Sequence, residues 1–257
     1  MTILKRSASM VSALVMMISS AGAYNCSAEG TTVNDSNTNN TREIVIDGTT
    51  AQLKENMRYR GAGMVSANNS SRLLLDYKAE HPDVYEQIMK YMFGKEGIGI
   101  THLKLEMGAD INSSSGTEPS VMRTEDEKAD VTRGAAYQLA ADAKKINPDL
   151  TLDMLWWSEP KWVSDASDVY AARYKWYKNT LDAAYETYGL EFDYVSAVQN
   201  ERGADLEWVK YLSSHLKSEK DTPYDYSKIK IVGGEEVCTW GFADRMYEDS
   251  ELMNVVD

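Results

Sequence analysis

From Glu43 onward the apolar residues keep changing period, from the alternation of a strand to the three-and-four spacing of a helix and back. That repeated switch constrains the fold more tightly than any other feature, because it is the trace of βα units laid on a parallel sheet. The first strand is expected near "YRGAGMVS", with a helix at "PDVYEQIMKYMF" where Val84, Ile88 and Tyr91 share a face and Pro82 suits the first turn. The second strand is "THLKLEM", in which Leu103, Leu105 and Met107 alternate. A long loop, "GADINSSSGTEPS", leads from it to a helix over "EDEKADVTRGAAYQLAADAKKI". "LTLDMLWW" with a helix from Ser167 to Tyr188, stopped by Gly189, makes the third unit. "FDYVSAV" with "DLEWVKYLSSHLK" makes the fourth, and "KIKIVGG" with a helix near "FADRMYEDSELM" the fifth. "NVVD" reads as the start of a sixth strand.

No Gly-rich phosphate loop follows any of these strands, and polar residues collect at several strand ends, so a doubly wound nucleotide-binding sheet is disfavoured. The fold class is α/β, a (β/α)8 TIM barrel. A complete barrel needs about 250 residues of its own, so the chain is expected to hold an N-terminal fragment of about five to six βα units of a longer protein.

Ahead of the barrel, Lys5 and Arg6 precede an apolar run from Met10 to Ile18 and a small-residue Ala21-Gly22-Ala23 site, which reads as a signal peptide over residues 1–23. Residues 24–42 are almost all small or polar and read as a disordered linker, leaving 43–257 as the partial TIM-barrel domain. The apolar run is too short to span a bilayer, so an exported protein without a transmembrane segment is expected, secreted or held at the cell surface. Cys26, beside the cleavage point, is a candidate for lipid anchoring, and pairing with Cys238 is the alternative. A formal charge of −13 and no run of basic residues longer than a pair argue against nucleic acid as a partner. His81, His102 and His215 are scattered, without ligand spacing, so no metal and no cofactor is expected. Nucleophile-elbow spacing is absent, and neither cysteine stands in a recognisable relation to a histidine.

In barrels of this kind chemistry gathers at the C-terminal ends of the strands. That rule selects Ser66 to Asn69, Asp110 to Glu118, Trp156 to Trp162, and Asn200 with Glu201. In "LWWSEPKW" the alternation of a strand puts Trp156 and Trp157 on opposite faces, which favours a sugar-stacking role for Trp157 and leaves Trp156 open between core packing and sugar stacking. A carboxylic acid beside an amide at a barrel mouth is what glycoside hydrolysis uses: the acid protonates the leaving oxygen while the amide holds a sugar hydroxyl. A surface salt bridge closing a loop is the competing reading of Asn200-Glu201-Arg202. Glu235 and Glu236 are read as supporting or solvated residues.

The stretches "GAGMVSANNSSRLLLDY", "HLKLEMGADINSSSGTEPS", "AKKINPDLTLDMLWWSEPKW" and "DYVSAVQNERG" together resemble glycoside hydrolase family 59, from about Gly61 to the final "NVVD". The resemblance implies a retaining glycosidase of terminal β-galactosides, acting on galactosylceramide-like lipids. It places the acid/base on Glu201, with Asn200, Trp157 and Ser114 binding substrate, and puts the nucleophile on a seventh strand beyond Asp257. Gln199 stands where the family usually has Trp, and Ala67-Asn68-Asn69 where it has a glycine-rich loop. A secreted carbohydrate-binding protein or inactive remnant, and another retaining β-glycosidase such as a galactanase or glucosylceramidase-like enzyme, are the alternatives.

Overall fold

A computed structural model describes residues 60–112, 115–197, 201–235 and 240–256. The leader, the linker and Cys26 fall outside these residues, as do Ser114, Asn200, Glu236 and Cys238. Along the chain run β1 (Gly63–Ser66), α1 (Arg72–Glu80), α2 (Pro82–Phe93), β2 (His102–Glu106), α3 (Ala136–Ile146), β3 (Thr151–Leu155), α4 (Lys161–Ser164) and α5 (Val169–Tyr188). Then follow β4 (Tyr194–Ser196), α6 (Leu206–Ser218), a 3-10 turn (Tyr226–Lys228), β5 (Lys230–Val232), α7 (Gly241–Glu248) and α8 (Ser250–Val255). The strands pair in parallel and in chain order, β1-β2-β3-β4-β5. Sequential parallel strands with a helical crossover between each pair are the βα units of a (β/α)8 barrel.

The register shows how the strand pattern divides its labour. Leu103, Leu105, Leu152, Met154, Val195 and Ile231 are 1% exposed or less and belong to the core shared with the helices. The alternate positions carry Val65, Lys104, Asp153, Tyr194 and Lys230, which stand level across the sheet. One face therefore supplies hydrophobic burial, about 1.5–3 kcal/mol for each large aliphatic side chain removed from water. The other face is polar.

The helices start and stop where local chemistry dictates. Asp168 caps α5 by accepting from the Ala171 N–H at 3.0 Å, and Gly189 ends it in the left-handed region at φ 67. Asp205 caps α6 through the Trp208 N–H at 3.2 Å.

Four expectations from the sequence are corrected. The buried stripe of α2 is Tyr85, Met89 and Phe93, whereas Val84 and Tyr91 are exposed. The i, i+4, i+8 series wins because Phe93 completes it and the Tyr85 hydroxyl reaches Asp142 of α3 at 2.9 Å. Arg72–Glu80 is a helix that apolar periodicity did not announce, since none of its residues is buried. The helix expected from Glu125 begins only at Ala136. Before it Asp130 bonds the Thr132 N–H and hydroxyl, Glu127 pairs with Arg133, and Gly134 interrupts, so side-chain bonds and a breaker outcompete helix propagation. Finally, "NVVD" does not begin a strand: Asn254 and Val255 close α8, whose N-cap Asp249 accepts from the Glu251 and Leu252 N–H groups.

Candidate active site

The loops that follow β1 to β5 share one edge of the sheet, and each is tied down by different chemistry. After β1, Asn68 and Asn69 sit at φ 55 and 56, the left-handed region that side chains with a Cβ seldom enter. The Asn68 N–H donates to Glu106 Oε2 at 2.6 Å, and the Asn69 N–H to Glu118 Oε2 at 2.5 Å. Ser66 and Ser71, both buried, close the base of that loop through their hydroxyls, 2.5 Å apart.

Glu106 and Glu118 are themselves buried. Loss of water pushes the Glu118 carboxyl up to about 7; the Asn69 N–H bond opposes that rise, and the charge of Glu106 adds to it. Burial raises Glu106 as well, with the Asn68 N–H pulling it back. Tyr137 of α3, fully buried, is in turn pushed up by burial and by both carboxyls.

Further along the loop after β2, Arg123 grips Asp110, itself left-handed at φ 57, with Nε 2.6 Å from Oδ2. That arginine holds the Asp110 carboxyl below its usual range. Trp162 Nε1 donates to the Met122 carbonyl at 3.0 Å, which stitches the loop after β2 to the segment after β3.

After β3 the two tryptophans part as strand alternation requires. Trp156 is buried against Trp176, and its Nε1 donates to the Tyr177 hydroxyl at 2.5 Å, which donates in turn to the Ser196 carbonyl on β4. Trp156 is thus a structural brace between β3, α5 and β4. Trp157, in the bend after β3, is half-buried. Arg173 of α5 holds Glu159 in the same loop by two bonds, 2.7 and 3.2 Å, and lies over the rings of Trp156 and Trp208.

Glu201 follows β4 and is exposed, at φ 67. Its backbone N–H donates to the Glu235 carbonyl at 2.9 Å, so the loop after β5 fixes the backbone that carries it. Glu235 is anchored from across the sheet, where its carboxylate pairs with Lys104 of β2. Lys104 also lies 3.4 Å from Asp153, and His102 Nε2 stands 3.5 Å from the same Asp153 oxygen while its ring stacks on Tyr194. Asp153 Oδ1 and Glu235 Oε2 are buried without a hydrogen-bond partner among the described residues.

Of the four residues singled out in the sequence, Trp157 and Glu201 therefore follow neighbouring strands on the same edge. Asn200 and Ser114 lie outside the described residues. Glu235 bears on Glu201 through its carbonyl and on Lys104 through its carboxylate. The sequence reading did not single out Lys104, Glu106 or Asp153. The signal was present in "HLKLEM" and "LTLDML", where charged residues occupy alternate positions of parallel strands that ordinarily are apolar on both faces. No group of three or more His, Cys, Asp or Glu able to hold a metal occurs among the described residues.

Known proteins agree with this architecture. Two solved structures share the fold: an endo-β1,6-glucanase at TM-score 0.56 and 18% identity, and SrfJ from Salmonella typhimurium at 0.55 and 16%. Each alignment covers 76% of this chain, and 49% and 48% of those chains respectively. Among curated proteins, the galactocerebrosidases of Homo sapiens and Macaca mulatta are each 32% identical over 206 residues, and that of Salmo salar is 33% identical over 204. These matches take in 76–77% of this chain, which spans 28% of the length of those relatives. Residues 59–257 match the sequence profile of glycosyl hydrolase family 59, and the chain belongs to that family.

Proposed function

We propose that the protein of which these residues form part is a retaining glycosidase of terminal β-galactosides, galactosylceramide-like, in which Glu201 is the acid/base. The observation that carries this reading is the position of Asn200-Glu201-Arg202 directly after β4, in a chain that matches glycosyl hydrolase family 59 from residue 59 to 257. The curated relatives carry the name galactocerebrosidase, which supports a galactolipid substrate.

In this reading Glu201 gives its proton to the glycosidic oxygen as the bond to the aglycone breaks, and then takes a proton from the water that attacks the glycosyl-enzyme. Asn200 holds a sugar hydroxyl, the half-buried Trp157 stacks on the apolar face of the ring, and Ser114 adds a hydroxyl contact. A retaining mechanism needs a second carboxylate about 5 Å from the first, and the reading assigns it to the part of the family's length beyond these 257 residues. Export through the leader, to be secreted or held at the cell surface with Cys26 as the candidate anchor, completes the proposal.

The full-length protein, given aryl β-galactosides of graded leaving-group ability, tests it. Glu201→Gln should slow substrates with poor leaving groups by about 10²-fold or more while sparing activated ones in the glycosylation step. Turnover of β-glucosides in preference to β-galactosides would refute the substrate assignment, and equal losses across the series would refute the role of Glu201.

A further inference from the structure

The proposed chemistry leaves unused a buried polar pair, Glu106 and Glu118. The two come from different places, the last position of β2 and the far end of the loop after it. They take the N–H groups of consecutive residues, Asn68 and Asn69, at 2.6 and 2.5 Å. Both Asn residues are left-handed, a conformation costing roughly 1–2 kcal/mol for residues with a Cβ and least for Asn and Asp, so something must over-determine it.

The exposures of Glu106 and Glu118 are 5% and 2%, and an isolated carboxylate is expensive to hold at such depth unless hydrogen bonds receive it. The Asn68 amide acts on Glu106, and the Asn69 amide and the charge of Glu106 act on Glu118, with both carboxyls felt by Tyr137 on α3. Glu118 Oε1 and Asn69 Oδ1 have no hydrogen-bond partner among the described residues. The surrounding backbone is shaped to fit. A Cβ at Gly134 would collide with Glu118 Oε1, and one at Gly116 would collide with the Asn68 carbonyl, so the loops after β1 and β2 touch main chain to main chain.

We propose that Glu106 and Glu118 are positioning residues that clasp the loop after β1 to the loop after β2 through the Asn68 and Asn69 amides, setting one rim of the sugar-binding mouth. What the rim faces rests on the glycosidase reading above; the clasp does not. Each carboxyl replaces the water that a left-handed amide would otherwise need, and together they hold the β1 loop at a fixed height over the sheet edge. The loop bearing Ser114 lies between Glu106 and Glu118 in the chain, so the same two bonds bracket it.

Amide hydrogen exchange on the full-length protein, read on overlapping peptides across residues 62–74, tests the clasp without any substrate. In the wild type the Asn68 and Asn69 amides should exchange at least tenfold more slowly than unprotected amides, on the order expected for locally closed structure. Glu106→Ala should release Asn68, and Glu118→Ala should release Asn69. The Gln variants should retain protection, because their side-chain oxygen still accepts. In turnover of an aryl β-galactoside, the Ala variants should lose about tenfold or more in kcat/KM, chiefly through KM, and the Gln variants should recover most of it. Unprotected Asn68 and Asn69 amides in the wild type would overturn the proposal whether or not any variant folds. So would Ala variants whose KM and kcat/KM stay within twofold of wild type. If the wild type turns over no β-galactoside, the glycosidase reading fails and the exchange pattern alone decides the clasp.

Discussion

The two rims of the sheet edge are held by opposite means. On the β1–β2 side, two buried carboxyls accept main-chain amides, and the side chains are largely withdrawn from water. On the β4–β5 side, the anchor is an ion pair between Lys104 and Glu235, and its hold passes to Glu201 through one backbone hydrogen bond. The first arrangement makes a rigid wall whose strength depends on proton occupancy. The second leaves the candidate acid/base exposed, with its side chain free to meet substrate.

The largest effect that would break this comparison is loss of the cation. Lys104 faces Asp153 and Glu235, whose side chains are 4% and 12% exposed, and removing it strands two nearly buried carboxylates. Lys104→Met should cost about 3–5 kcal/mol in denaturant unfolding, the usual penalty for deleting one partner of a buried pair. A cost below about 1 kcal/mol would mean that the β4–β5 rim is not anchored there.

Next in size is the proton dependence of the opposite rim. Glu118 is raised from 4.5 to about 7 in the folded state, so the fold binds its proton more tightly than the unfolded chain does. That contribution is fully present below pH 4.5 and is lost as pH rises through about 7. The stability of Glu118→Gln relative to wild type should therefore improve by up to about 3 kcal/mol between pH 5 and pH 8. A difference that stays flat over that window would show that Glu118 carries no raised affinity for its proton.

Smaller effects sharpen the contrast. Trp156→Phe keeps an aromatic ring but drops the Nε1–H bond to Tyr177 and part of the packing against Trp176, and should cost about 2 kcal/mol while leaving Trp157 in place. Glu201→Gly should change stability least and in the opposite direction. Glycine adopts φ 67 freely, so removing a strained Glu should gain up to about 1 kcal/mol while slowing substrates with poor leaving groups by about 10²-fold or more. A loss of stability in Glu201→Gly would mean the side chain is part of the scaffold.

Much of the fold was legible because its signals are local. The alternating Leu103-Leu105-Met107 series and the Gly189 stop each write an element into a short window. What escaped depends on distant partners. Nothing in "RLLLDYKAE" announces a helix, because α1 buries no residue, and the Tyr85 face of α2 was chosen by contact with Asp142 on α3. The site divides in the same way. Trp157 could be picked out by alternation, and Glu201 by its place after a strand. Glu118 looks like any loop acid until the fold brings it against the amide of Asn69, 49 residues earlier.

The central claim is that Glu201 is the acid/base of a retaining galactosidase, and azide tests it most directly. The full-length Glu201→Gln protein should turn over an activated aryl β-galactoside slowly, with the glycosyl-enzyme waiting for a base to activate water. Azide needs no such base, so adding it should restore turnover and yield β-galactosyl azide. No acceleration, no azide product and an unchanged dependence on leaving group would contradict the claim and return Glu201 to sugar binding alone.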